Sequence, residues 1–413
     1  MSREYLTEHE TGKALVLGGV SEDVHMEGSS FAYTSKLLTL LDMTWESPVF
    51  GNAYPFSNSP NREQVLHTTF KNIKKMHALL VQWLKPILSE WMHPIAPEAI
   101  NEIVRQIAPK STAFCSAIAA YEINDVERLA QVGLSIALVY WIDHRMDRGD
   151  QAMEEAINLW QTHHSSLGKE NQLPESIHVQ TRLVGLYALE RSIHTFSHPE
   201  DAEILIEHVM HEVLAREARV CQLSRFYQDQ HPNIFWNENA EELAAHSIRN
   251  VALIYVAASI YTVHRHLNPM LPNLKYILAN QKIMQLMNSS AAAMIRVLDD
   301  FGDRLIDSGA HPEWGQFTLN LFNQPNPIWI SAFLHTAGFK DDQVRESLSQ
   351  AFLRDDAISQ KYIVDVFVDF ARWEFSSLSE SEYAANKLFL DIGKRVIEAG
   401  YVNALGDMEL AGH

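Results

Sequence analysis

Three aspartates recur every four residues in an apolar segment near residue 300, and this pattern limits the possible folds more than any other feature. They are Asp299, Asp303 and Asp307. Side chains four residues apart lie on one face of an α-helix, so the carboxylates form a column. Stacked like charges weaken a helix, whereas a hard divalent cation such as Mg²⁺ binds carboxylate oxygens and reverses that effect. Because unpaired buried charge is costly, we expect this helix to face a cationic partner.

A second acidic pair follows the uncharged apolar run 134–142. Asp143 and Asp147 are again four residues apart, now at the end of a segment that is long and apolar enough for a core helix. The helix macrodipole disfavours acids at this end, and nearby arginines also allow an ordinary solvated helix end. Two such helices facing each other would hold metal ions between them, although salt bridges remain an alternative for each cluster.

The chain reads as helical throughout. Its 413 residues are 46% hydrophobic, with 17 glycines and 15 prolines. The apolar residues follow helical rather than strand periodicity, and no repeat or low-complexity linker divides the chain. We therefore predict an all-α fold, a single barrel or bundle of about a dozen helices over residues 61–413. Residues 1–60, rich in Gly, Ser, Asn and Pro, are predicted to be an N-terminal arm that packs on this body.

Helix boundaries follow from the periodicity and the prolines. Residues 100–107 and 111–123 are predicted to form two short helices. Residues 240–265 and 276–307 are each predicted to form one long helix, and Pro86 is expected to kink or split the helix before residue 92.

Charge and cysteine content exclude several classes of function. The net charge is −19, which argues against a general nucleic-acid binder, since that affinity depends on phosphate neutralisation. Cys115 and Cys221 cannot form a disulfide framework, so a reducing, cytoplasmic location is expected. The first residues lack the apolar core of a signal peptide, and no uncharged apolar run reaches the length of a stable membrane span.

The two acidic segments together resemble the class I isoprenoid synthases, which include terpene cyclases and squalene/phytoene synthases. That family's first motif, DDxxD or DxxxD, is matched by Asp143 and Asp147. Its second cyclase motif has metal ligands at i, i+4 and i+8, as do Asp299, Asp303 and Asp307. The resemblance covers about residues 110–310 and rests on two short motifs. His144 replaces a common second Asp, Asp303 replaces Ser or Thr, and the first motif lies deep in the chain, as in large bacterial terpene synthases or the squalene-synthase branch.

The resemblance implies a Mg²⁺-dependent terpene synthase, a lyase of isoprenoid biosynthesis. Its substrate would be a prenyl diphosphate, bound through three Mg²⁺ ions, with Mn²⁺ as an alternative metal. The five motif aspartates would be the metal ligands and catalytic residues. Arg249, Arg304 and Arg372 are the candidates for diphosphate binding. Carbocation cyclisation would follow ionisation, whereas the prenyl chain length, the product and whether a homodimer forms stay open.

A carbocation requires a dry, π-rich pocket, so aromatic residues near the acidic ends are candidate walls. Each of them alone is more commonly a plain core residue. The candidates are Phe114, Tyr140, Trp141, Tyr255, Tyr261 and Phe301.

Three alternatives remain. Paired DxxxD motifs also suit head-to-head condensation of two prenyl diphosphates, as in squalene or phytoene synthases. A di-iron carboxylate bundle needs two Glu-x-x-His motifs, and the nearest cluster, Glu207 to His211, has the wrong spacing and no second copy. The third alternative is a non-catalytic helical scaffold whose acidic faces are salt-bridged.

Overall fold

The structure is a computed structural model that describes residues 49–50, 62–91, 97–119, 122–163, 176–307, 318–354 and 356–411. Every regular element in these ranges is a helix, and none is a strand, which confirms the predicted all-α class. The predicted N-terminal arm lies outside the described residues except for Val49 and Phe50.

The helices are numbered in chain order. They are α1 Arg62–Trp91, α2 Pro97–Ala119, α3 Val126–Asp147, α4 Gln151–His163, α5 Ile177–Phe196, α6 Pro199–Leu205, α7 His211–Asp229, α8 Pro232–Arg249, α9 Leu253–Leu267, α10 Leu274–Leu278, α11 Gln281–Asn288, α12 Ser290–Asp307, α13 Pro327–Ala337, α14 Asp342–Phe352, α15 Ala357–Ser376, α16 Glu380–Ala385 and α17 Lys387–Ala411. A π-helical turn, Ile206–Met210, joins α6 to α7.

The structure shows neither of two predicted helix divisions in the first third of the chain, and a kink at Pro86 stays a prediction. Helix α1 continues through Pro86, which is exposed, and α2 is one helix rather than two. The reason for the second is burial, because Val104, Ala108 and Cys115 lie on one stripe that spans both predicted pieces and is wholly buried. Tertiary packing of such a stripe outweighs local helix-breaking signals.

Two long predicted helices are in fact divided. The chain breaks at 250–252 between α8 and α9, and residues 274–307 form three helices instead of one. Asn280 explains the first of these divisions, because its side chain accepts a hydrogen bond from the Ile283 N–H and begins a new helix.

Six helices form a closed ring. Helix α2 packs on α3, α3 on α7, α7 on α8, α8 on α12, α12 on α17, and α17 returns to α2. Helix α9 packs against α3 and α17. The ring encloses a cavity, and both predicted acidic segments, the ends of α3 and α12, belong to its wall.

The described part of the N-terminal arm binds to the body. Val49 is fully buried, and its N–H and that of Phe50 donate to the carboxylate of Glu398 on α17, the Phe50 bond at 2.7 Å. The Phe50 ring packs edge-on against Phe375 of α15. These two residues therefore contact the outer side of α15 and α17.

One stretch among the described residues, 232–267, is long and apolar enough to cross a membrane by length and composition. It is interrupted at 250–252, and 67% of its most apolar window is buried inside the protein. A core helix passes the same test, so this stretch is weak evidence for a span.

Candidate active site

The ring of helices encloses a cavity of about 440 Å³ with an acidic part and an apolar part. The acidic part is formed by carboxylates from three helices: Asp143 and Asp147 of α3, Glu217 of α7, and Asp299 and Asp303 of α12. The structure therefore brings both predicted DxxxD pairs to one cavity.

The acidic end of α3 is built by a helix that is buried along most of its length. Asp125 caps its start by accepting a hydrogen bond from the Arg128 N–H at 3.1 Å. At the other end Arg145 turns away from the cavity and donates to Asp150. Among the described residues, neither Asp143 nor Asp147 forms an ion pair. The solvated, arginine-paired helix end weighed from the sequence therefore does not describe this pair.

The acidic column of α12 differs because an arginine accompanies it. Arg296, one turn earlier, lies 3.6 Å from Asp299 and also pairs with the adjacent Asp300. Asp300 points away from the cavity, accepts a hydrogen bond from the Leu321 N–H at 2.9 Å and is fully buried. Arg296 is the one Lys or Arg among the described residues that line the cavity, and sequence reasoning assigned it no ligand role.

The carboxylates of the two ends interact electrostatically. Burial raises the pKa of Asp143 well above its ordinary value, and the negative charges of Glu217, Asp147 and Asp299 raise it further. The pKa of Asp147 is also raised, first by burial, then by Glu217 and Asp303, while the Cys221 thiol and Arg296 oppose the rise. The site therefore holds more negative charge than its own arginine compensates.

Glu217 is the principal residue that sequence reasoning missed. Its side chain is almost fully buried, accepts a hydrogen bond from Cys221 Sγ at 3.2 Å and another from Asn250 Nδ2. Ligand atoms of Asp147, Glu217 and Cys221 lie within 4.8 Å of one another. A single acid on a mixed helix has no repeat that would distinguish it from a surface residue, so the sequence offered no signal.

The break between α8 and α9 also lines the cavity. Ala252 has φ 55° and ψ 13°, the left-handed conformation that residues other than glycine rarely adopt. Asn250, two residues earlier, is held by Glu217. Because strained backbone persists only where its surroundings enforce it, the Glu217–Asn250 contact provides a physical reason for the break.

The apolar part of the cavity receives four of the six predicted aromatic walls. Phe114, Tyr140, Trp141 and Tyr255 all line it. The other two do not. The hydroxyl of Tyr261 donates to the carbonyl of Pro272, and the Phe301 ring packs on Phe322. Burial and the nearby Arg148 and Arg145 lower the pKa of His144 to about 4, so this lining residue is neutral at pH 7.

Two of the three predicted diphosphate-binding arginines, Arg249 and Arg372, do not line this cavity. Arg249 is exposed and lines clefts on the outer side of the helix break. Arg372 is exposed, with Nη1 3.0 Å from Asp369 and Nε donating to the Val49 carbonyl. The side chains of Arg304 and Asp307 lie outside the described residues, so their predicted roles stay predictions.

The di-iron alternative gains nothing from the structure. Glu207 is exposed, and the His211 ring packs edge-on against Trp160 at 4.5 Å. Neither residue lines the acidic cavity.

The donor set of the cavity fits a hard divalent cation. Carboxylate oxygens are the ligands that Mg²⁺ prefers, and Mg²⁺ needs only one or two of them beside water and phosphate oxygens. Burial, and then the neighbouring carboxylates, raise the pKa values of Asp143 and Asp147, and a bound cation would favour the charged form of both groups. Asp143 and Asp147 would hold such an ion from one side, and Asp299 and Asp303 from the other.

A comparison with known protein families, with curated proteins and with solved structures finds no match for this chain. Function must therefore be inferred from the residues of the cavity.

Proposed function

We propose that this chain is a class I terpene synthase with the isoprenoid synthase fold. It would bind a prenyl diphosphate with the diphosphate at the acidic part of the cavity and the hydrocarbon in the apolar part. Ionisation, cyclisation of the carbocation and release of diphosphate would follow. The observation that carries the proposal is the meeting of two DxxxD pairs, from α3 and α12, above an aromatic pocket within one ring of helices.

The acidic part has the chemistry that diphosphate departure needs. Bound Mg²⁺ would neutralise the negative charge that develops on the leaving diphosphate. Asp143 and Asp147 would hold metal from α3, and Asp299 and Asp303 from α12. Without metal these carboxylates repel an anionic substrate, so substrate binding should depend on the cation. Arg296 lines the same part of the cavity and would donate hydrogen bonds to phosphate oxygens.

The apolar part has the chemistry that the cation needs. Phe114 and Trp141 are almost fully buried, and both line the cavity. Aromatic faces stabilise a nearby positive charge, and apolar walls exclude the water that would quench it. The volume of about 440 Å³ lies within the usual range for small-molecule sites.

A screen for Mg²⁺-dependent diphosphate release, over prenyl diphosphates from C10 to C25, tests the proposal. We expect release from at least one substrate, with a hydrocarbon or terpene alcohol identified by mass spectrometry. Asp143→Ala and Asp299→Ala should each lower turnover by about 10²–10³-fold, as loss of a charge-stabilising group does elsewhere.

Asp229→Ala is the matched control, because Asp229 is an exposed carboxylate at the end of α7 that does not line the cavity. It should keep wild-type turnover. Failure to release diphosphate from any substrate, or full activity in both cavity variants, would show that the chain is not this enzyme. Two substrate molecules consumed per hydrocarbon product would indicate head-to-head condensation instead.

A further inference from the structure

The outer side of the helix break carries a second cavity that the proposed reaction does not use. It has an apolar half of about 470 Å³ and a polar half of about 530 Å³. Arg249 and Asn288 line both halves, so the two halves adjoin at these residues. We refer to both halves together as the Arg249 cleft.

The polar half is basic although the protein is strongly acidic. Its charged lining residues are Arg249, Lys340 and Arg345, and no carboxylate is among the described residues that line it. His335 lies there too. This clustering of cations stands out against a net charge of −19.

Arg249 is available for a ligand. Its side chain is exposed, and among the described residues it forms no ion pair or hydrogen bond. Arg345, by contrast, pairs with Asp342. An unpaired guanidinium at the junction of the two halves offers its planar set of donors to the oxygens of a phosphate.

The apolar half is lined mainly by aliphatic side chains from five segments. They are Ile204, Val209, Leu253, Leu278, Met284 and Met287. The one carboxylate among the described residues that line this half, Glu212, is already paired with Arg216. The half therefore suits a hydrocarbon chain, and Lys275 at its edge adds a further cation.

We propose that the Arg249 cleft binds an anionic amphiphile. The phosphate head would lie against Arg249, with Lys340 and Arg345 around it, and the hydrocarbon tail would fill the apolar half. Each half alone has the volume of a small-molecule site. This binding site does not depend on the proposed enzymatic function.

The cleft is separated from the acidic cavity by a thin wall. Val213 and Val251 line both the apolar half of the cleft and the main cavity. A tail bound in the cleft would therefore press on side chains that also border the acidic cavity.

Calorimetric titration with dodecyl phosphate below its micelle concentration, in EDTA, tests the proposal. EDTA removes divalent cations, so the carboxylates of the main cavity repel the head group and leave the cleft as the favourable site. We expect saturable binding, with much weaker binding of inorganic phosphate and of dodecanol, because each lacks one half of the ligand. A parallel titration with vesicles containing phosphatidic acid tells whether a membrane headgroup supplies the same chemistry.

Two variants locate the ligand. Arg249→Ala should weaken binding by about tenfold or more, the size of a lost charge-assisted contact. Ala279→Trp, at an exposed position of the apolar half, should block the tail. Arg191→Ala is the matched control, because it removes an exposed arginine from α5, away from the cleft.

Arg249-dependent binding of dodecyl phosphate supports a free phosphorylated ligand, and Arg249-dependent binding of the vesicles alone supports the same site for a lipid headgroup. The proposal fails if wild-type protein binds neither. It also fails if Arg249→Ala or Ala279→Trp binds as tightly as the wild type, or if Arg191→Ala weakens binding as much as Arg249→Ala.

Discussion

The acidic ends of α3 and α12 have the same spacing of carboxylates but different electrostatic surroundings. At the α3 end, Asp143 and Asp147 have no ion pair among the described residues, and burial raises both pKa values. At the α12 end, Arg296 lies beside Asp299 and pairs with Asp300. The negative charge of the Asp143–Asp147 pair is therefore uncompensated among the described residues, whereas that of the Asp299–Asp303 pair is partly compensated by Arg296.

This difference shows that a sequence motif does not determine how much a site needs a cation. In α12 the guanidinium of Arg296 is shared between the buried Asp300 and the Asp299 of the cavity. In α3 the neighbouring Arg145 is engaged by Asp150, and no arginine or lysine among the described residues pairs with Asp143 or Asp147. The α3 end is therefore where metal binding should change stability most.

The largest expected effect is on the free energy of unfolding, and it distinguishes Asp300 from its neighbour Asp299 in α12. Asp300→Ala should cost about 3–5 kcal/mol of unfolding free energy, because it leaves the buried Arg296 without its closest partner. Asp299→Ala should cost much less, since the Asp299 side chain is 47% exposed. Urea denaturation of both variants in EDTA measures the difference. Equal losses would contradict the assignment of Asp300 to the core and Asp299 to the cavity.

The pH dependence of the metal-free protein tests the α3 end. A carboxyl whose pKa is raised on folding binds more protons in the folded state, so its contribution to stability falls as pH rises. The fall begins near the ordinary Asp value of 3.8 and continues through the raised pKa values of Asp143 and Asp147. Asp143→Asn should therefore have a higher melting temperature than the wild type at about pH 8 in EDTA, by roughly 1 °C per kcal/mol for a chain of this length.

Two further measurements on the wild type and Asp143→Asn serve as internal controls. The difference between Asp143→Asn and the wild type should shrink as the pH falls below the ordinary Asp value of 3.8, where the wild-type carboxyl is protonated in both the folded and the unfolded state. Mg²⁺ at about pH 8 should stabilise the wild type more than Asp143→Asn. A melting temperature that is lower in Asp143→Asn at alkaline pH would show that the carboxylate is already compensated within the protein.

The sequence was informative where a pattern repeats. Periodic apolar residues predicted an all-α fold, and repeated aspartates identified the two helix ends that meet at the cavity. Repeats are informative because every member of the pattern lies on one face of a helix, so local geometry alone fixes their common direction.

The sequence did not predict those features of the site that tertiary contacts determine. Glu217 and the helix break at 250–252 depend on each other, because the Glu217 carboxylate holds Asn250 from a different helix. No glycine or proline marks that break, and Ala252 adopts its left-handed conformation against its own preference. Arg249 is the last residue of α8, directly before the same break, and it lines the Arg249 cleft instead of the acidic cavity.

The smallest expected effect concerns Arg372, which the family resemblance suggested as a diphosphate ligand. Its Nε donates to the Val49 carbonyl, and Arg372 does not line the cavity. Arg372→Ala should therefore cost about 0.5–2 kcal/mol of stability, the range for one hydrogen bond and one exposed ion pair, and leave diphosphate release unchanged. Arg296→Lys, which keeps the charge beside Asp299 and Asp300, should instead reduce release. Urea denaturation and the diphosphate assay on both variants separate these roles, and a turnover loss in Arg372→Ala at unchanged stability would move Arg372 into the site.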